Sequence, residues 1–132
     1  MATSSVIVYE TTPRWTPELQ RQFDGEDVRV RACGTIQGLT QRIAEQNSLT
    51  DVTPGGVIIL DLGTHPADCL QFLGATSDLY DDWSKVVISS EQLSELEWST
   101  RELGAIGFFS EFASGHELSR LCRRQLTSRA KY

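Results

Sequence analysis

Residues 56–60, GVIIL, form an apolar run with no polar residue set between the hydrophobic ones. A strand with one wet face alternates, whereas a strand covered on both faces does not, and the second pattern belongs to the centre of a parallel sheet flanked by helices. Shorter β-branched runs surround it: SVIVYE (5–10), DVRVRAC (27–33), KVVIS (85–89) and AIGFFS (105–110). Between these runs the apolar residues recur at helical spacing, as in Ile36, Leu39 and Ile43, Leu70 and Leu73, or Leu118, Leu121 and Cys122. Strands alternating with helices from end to end predict βα units: an α/β fold with a doubly wound, five-stranded parallel sheet between two helical layers.

The punctuation agrees. Thr16-Pro17 reads as an N-cap and first-turn proline of the first helix, and TPGG (53–56) reads as a turn before the central strand. SEQLSELEWSTRELG (90–104) reads as a fourth helix with Leu93, Leu96 and Leu103 inward and Gly104 as its C-cap. A last helix is expected from about Gly115. No segment is left over for a second domain, so residues 1–132 read as one domain with a core over about 5–126 and a basic tail over about 127–132. Met1 fits a natural start.

Bulk properties exclude several classes. No apolar stretch approaches the roughly 20 residues of a membrane span, and no basic region precedes a long apolar segment at the start, which predicts a cytoplasmic protein without membrane contact. The three cysteines, Cys33, Cys69 and Cys122, are far apart and odd in number, against a disulfide framework. His65 and Cys69 are four apart but make only half of a zinc site, and His116 reads as part of a first helical turn. A net charge of −6 disfavours nucleic acid as a partner. The balance is uneven: RLCRRQLTSRAKY (120–132) holds five bases and no acid, leaving seven bases against eighteen acids elsewhere. A solvated, basic last helix explains this without a ligand.

In an open α/β sheet, ligands meet the carboxyl ends of the strands at the switch point. The strand ends here carry Tyr9 and Glu10, then Asp61, then Ser89 and Ser90, then Ser110 and Glu111. An acid after the first strand, an aspartate closing the third, a hydroxyl closing the fourth and GAIGFF around the fifth together make the chain resemble the receiver domains of two-component response regulators, over about residues 5–126. The resemblance implies a flavodoxin-like, receiver-like (βα)5 sandwich. It also implies phosphoryl chemistry, with Asp61 as phosphoacceptor, Ser89 as the hydroxyl that follows the modified group, and Phe108 as a switch-like aromatic.

Two positions depart from that pattern. Where receivers place two adjacent acids for magnesium, this chain has Tyr9-Glu10, so the resemblance implies that Glu10 and Asp61 hold Mg2+ weakly at best. Where they place a lysine, it has Glu111, an acid that would repel a phosphoryl group. The loop LGTHP (62–66) also reads as one residue longer than usual. The resemblance therefore points to an atypical or pseudo-receiver, a non-enzymatic module with phosphorylation impaired or absent. Its partner is expected to be another signalling protein or a second copy of itself, docking on the face of the fourth helix, fifth strand and fifth helix through Trp98, Phe108, Arg120 and Arg124. A working receiver phosphorylated on Asp61 by a histidine kinase is the first alternative. A flavodoxin-like binder of a small molecule is the second, although YETTPRW (9–15) offers Arg14 and hydroxyls but no glycine cradle.

Overall fold

Alternating β-branched and helix-forming segments can bury both sheet faces only if consecutive strands are joined by helical crossovers, and the chain is built from five such strand–helix units. In the computed structural model, which describes residues 3–49, 55–63, 65–76, 80 and 82–130, the strands are β1 (Ser4–Tyr9), β2 (Val28–Cys33), β3 (Gly56–Asp61), β4 (Trp83–Ser89) and β5 (Ala105–Ser110). The helices are α1 (Trp15–Gln22), α2 (Ile36–Asn47), α3 (Pro66–Ala75), α4 (Glu97–Glu102) and α5 (Gly115–Ala130), and a 3₁₀-helix spans Glu91–Leu96. All strand pairs are parallel, in the order β2-β1-β3-β4-β5, so β3 is central and the order reverses between β1 and β3. Thr53 and Pro54 of the expected turn, Thr64 of the loop after β3, and the last two residues of the basic tail lie outside the described residues.

Strand alternation sorts the core into two layers. Ile7, Tyr9, Ile58, Leu60, Trp83 and Val87 face Leu39 and Ile43 of α2 and Cys69, Phe72 and Leu73 of α3. Val6, Val8, Val57, Ile59, Val86 and Ile88 face Trp15 and Leu19 of α1 and Leu118, Cys122 and Leu126 of α5. The unbroken apolar run of β3 is thus needed because its even and odd residues enter different cores. Leu70, expected inward, is only half-buried, and Phe72 takes the inward place beside Leu73.

Two elements differ from their sequence reading. The first helix starts at Trp15, one residue before the expected Thr16 cap, and it has no cap from its own N-cap side chain; its free N–H groups are satisfied from another element. The fourth helix is divided: Glu91–Leu96 winds as 3₁₀ and only six residues are α-helical, although Leu93, Leu96 and Leu103 do pack on the core. Gly104 ends the segment at φ +104, a conformation in which a side chain is strained, and its N–H donates to the Arg101 carbonyl at 3.1 Å.

Lys85 is buried inside β4 at 5% exposure. Its ammonium donates to the carbonyl of Thr76 at 2.8 Å, at the C-terminal end of α3, where the helix dipole favours a cation. Arg123 is more than a solvated tail residue: it donates to the Gln22 carbonyl and pairs with Glu26 at 2.8 Å, and its guanidinium lies 4.9 Å from the Phe23 ring, tying α5 to the end of α1. Arg120 and Arg124 remain exposed.

Candidate functional site at the switch point

Because side chains alternate, residues one step beyond Tyr9 and Leu60, which pair across β1 and β3, turn to the α1 and α5 side. Glu10 and Asp61 therefore lie together at the carboxyl end of the sheet, next to the strand-order reversal. Tyr9 does not join them. Its ring is fully buried in the α2 and α3 layer, where burial first, then the nearby Cys69, Asp68 and Cys33, push its phenol up to about 12. Tyr9 is therefore a core residue on the face opposite Asp61.

Glu10 is 4% exposed, and both oxygens of its carboxylate accept hydrogen bonds. Oε1 accepts from the backbone N–H groups of Arg14 (3.1 Å) and Trp15 (2.9 Å), and Oε2 accepts from that of Thr16 (2.9 Å). These are the orphan donors at the start of α1, so an acid at the end of a strand performs the capping that Thr16 was expected to do. The Thr16 hydroxyl itself is buried with no hydrogen-bond partner.

Asp61 is half-buried, and its Oδ1 accepts from the N–H of Gly63 at 3.0 Å. Its carboxyl sits above the ordinary range. Burial is the largest cause; Glu10 and Glu111 push the same way, while the Gly63 N–H and the Arg14 guanidinium oppose them. Glu111 is thus one of the groups that raise the Asp61 pKa, and the smallest of those causes. Glu111 itself is held by its backbone: its N–H donates to the Ser89 carbonyl at 2.9 Å, continuing the β4–β5 ladder.

Ser89 is buried at 2% exposure, and its hydroxyl donates to the carbonyl of Ser90 at 2.9 Å. Phe108 is partly buried against the α2 and α3 layer and also lines a groove of about 460 Å³ with Ser89, Ser90, Glu97, Ser110 and Phe112. Phe112 is 78% exposed and Trp98 77%, both large for aromatic rings.

Arg14 belongs to the site although it does not stand at a strand end. It sits in the β1–α1 loop, its guanidinium 4.3 Å from the Trp15 ring centroid, and Nη2 donates to the backbone carbonyl of Glu111. The available signal was a lone cation near acids: residues 9–15 hold one base, four positions after Glu10.

The chain's own backbone already occupies part of this donor set. Magnesium requires near-octahedral hard oxygen ligands, but both Glu10 oxygens already accept backbone N–H groups. Among the described residues no group of three His, Cys, Asp or Glu side chains is placed to hold a metal ion.

Solved structures supply the comparison for this geometry. The chain superposes on a response regulator from Thermotoga maritima with a TM-score of 0.76 at 11% identity, covering 95% of this chain and 98% of that one. It superposes on the signal receiver domain of a putative Luxo repressor protein from Vibrio parahaemolyticus with a TM-score of 0.78 at 16% identity (97% and 93% covered). The fold is the receiver fold. A CheY-like receiver domain protein from Methanospirillum hungatei JF-1 is similar over 98% of both chains, at a TM-score of 0.73 and 12% identity. No protein-family model and no curated protein sequence matches the chain. The receiver fold accounts for the flavodoxin-like sheet, whose central strand ends here at Asp61. Among the described residues no helix is long and apolar enough to cross a membrane.

Proposed function

We propose that this protein is a receiver-like signalling module that acts by protein contact, with phosphoryl transfer to Asp61 impaired. The observation that carries this reading is the engagement of Glu10: its carboxylate is committed to the start of α1, so the acid expected to share a metal with Asp61 is already satisfied. Glu111 adds a second obstacle. An acyl phosphate needs positive charge around its oxygens, and this position brings a carboxylate that raises the Asp61 pKa.

The contact surface is the face of α4, β5 and α5. Its groove is lined by the aromatic Phe108 and Phe112 and by the acids Glu91 and Glu97. Trp98 stands exposed on α4, and Arg120 and Arg124 are exposed on α5. Exposed aromatics and arginines are the residue types that dominate binding energy in interfaces. The partner is another signalling protein or a second copy of the chain.

A working receiver, phosphorylated on Asp61 by a histidine kinase, is the second reading. It is favoured by the placement of Asp61 and Ser89 on adjacent strand ends, since β3 and β4 pair up to Asp61 and Ile88. An amide NMR titration with magnesium and then beryllofluoride separates the two, with Asp61→Asn as control. Spectra unchanged beyond the ionic-strength effect support the contact module. Saturable shifts at Asp61, Ser89 and Phe108 that vanish in the control overturn it in favour of the phosphoswitch.

A further inference from the structure

We propose that Arg14 is a built-in cation that latches the β5–α5 loop and so holds the groove lined by Phe108 and Phe112 in shape. The proposal rests on the contact-module reading for the groove's purpose, but the latch is defined by contacts within the chain.

Glu10, Asp61 and Glu111 all stand at the carboxyl ends of their strands, Glu111 continuing the β4–β5 ladder, and Glu10 and Glu111 both act on Asp61. Such a group needs a counter-charge, and a divalent cation would supply one in a site with free oxygens. Here both Glu10 oxygens accept backbone N–H groups, and the cation that acts on Asp61 is Arg14. The same carboxylate fixes the base of that arginine, because Oε1 accepts from the Arg14 N–H. Its other end is fixed twice, by the Trp15 ring under the guanidinium and by the Glu111 carbonyl. An arginine suits this role because its planar fork can stack and donate at once.

The grip on Glu111 carries to the docking face through the very next residue, Phe112. The Phe112 N–H donates to the Ser110 hydroxyl at 3.0 Å, and its ring lines the groove with Phe108. Ala113 then donates to the Ser110 carbonyl at 3.1 Å, closing the turn into α5. The contacts run from Glu10 through Arg14 and Glu111 to Phe112, from the switch point to the docking face.

The test uses the full chain and the variants Arg14→Gln and Arg14→Lys, studied by amide hydrogen exchange and by magnesium chloride titration against sodium chloride of equal ionic strength. Arg14→Gln is expected to shift the Glu111, Phe112 and Ala113 amide signals and to speed their exchange on the order of tenfold, as a local opening does. Arg14→Lys should restore part of the protection, since it keeps the charge and loses the fork. The unaltered protein should show no saturable response to magnesium. Two results would overturn the latch: Glu111–Ala113 signals and exchange unchanged in Arg14→Gln, or saturable magnesium shifts at Glu10 and Asp61 in the unaltered protein. If Arg14→Gln fails to fold, the comparison of Arg14→Lys with the unaltered chain carries the same decision, unchanged exchange overturning the latch and faster exchange supporting it. Failure of the contact-module reading is seen separately, as a beryllofluoride response at Asp61 with the loop contacts intact.

Discussion

Replacing Glu10 by alanine would leave three backbone N–H groups at the start of α1 without an acceptor, in a site from which water is largely excluded. Charge-assisted bonds of this kind, with unsatisfied donors left behind, predict a loss of about 2–3 kcal/mol in urea unfolding, with Glu10→Gln losing less because one acceptor oxygen is retained. Asp61 behaves oppositely. Its pKa is raised in the folded state, so between the unfolded value and that raised value the folded chain binds more protons than the unfolded one, and stability falls as pH rises through the window. Asp61→Asn keeps the acceptor for the Gly63 N–H and removes the charge, so it is expected to raise the Tm at pH 7. The gain should shrink as pH falls and vanish below about pH 3.8, where Asp61 is protonated in the unfolded chain as well. A Tm difference that does not depend on pH would contradict this origin.

At the scale of elements, the segment from Glu91 to Glu102 is the least regular part of the fold, a 3₁₀-helix running into a six-residue α-helix. It buries only Thr100 completely and holds the core through the partly buried Leu93 and Leu96. Few buried apolar contacts imply low local stability, so its amides should exchange faster than those of β3 and β4 by on the order of a hundredfold or more. The opposite holds where β3 begins. Gly56 has φ +154, and a Cβ there would lie 2.1 Å from the Ser5 carbonyl of β1. Gly56→Ala must therefore push two paired strands apart, and a destabilisation of about 3 kcal/mol is expected, read from the urea midpoint.

At the scale of the whole molecule, the sheet is stabilised by two separate apolar layers that share its strands. Leu19 in the α1 and α5 layer and Leu39 in the α2 and α3 layer are both fully buried. Truncating either to alanine should cost about 3 kcal/mol, within the range of cavity-forming substitutions. Because the central strands contribute to both layers, each variant should still unfold in one transition, with fluorescence and circular dichroism midpoints coinciding. Separate midpoints would mean that the two layers fold independently.

Sheet centre, element order and the place of Asp61 were legible in the sequence, because a doubly buried strand must be apolar throughout and a residue just past that run must emerge at the carboxyl end of the sheet. GVIIL and the alternation around it carry that information locally. What the sequence left open is which face each strand-end residue joins and what it touches. Tyr9 and Glu10 read as one adjacent pair, yet the two-residue period of a strand sends the phenol into one core and the carboxylate to the other side. Thr16 read as a cap from its type and its proline neighbour, but the packing of α1 against the end of β1 brings a stronger acceptor within reach. Arg14 meets Glu111 across 97 positions of chain, a contact that no local pattern encodes. The sequence determined the periodicities, and through them the layers. Only the tertiary structure decided which charges meet at the switch point, because electrostatic partners are chosen by distance in space and the crossovers bring together residues far apart in the chain.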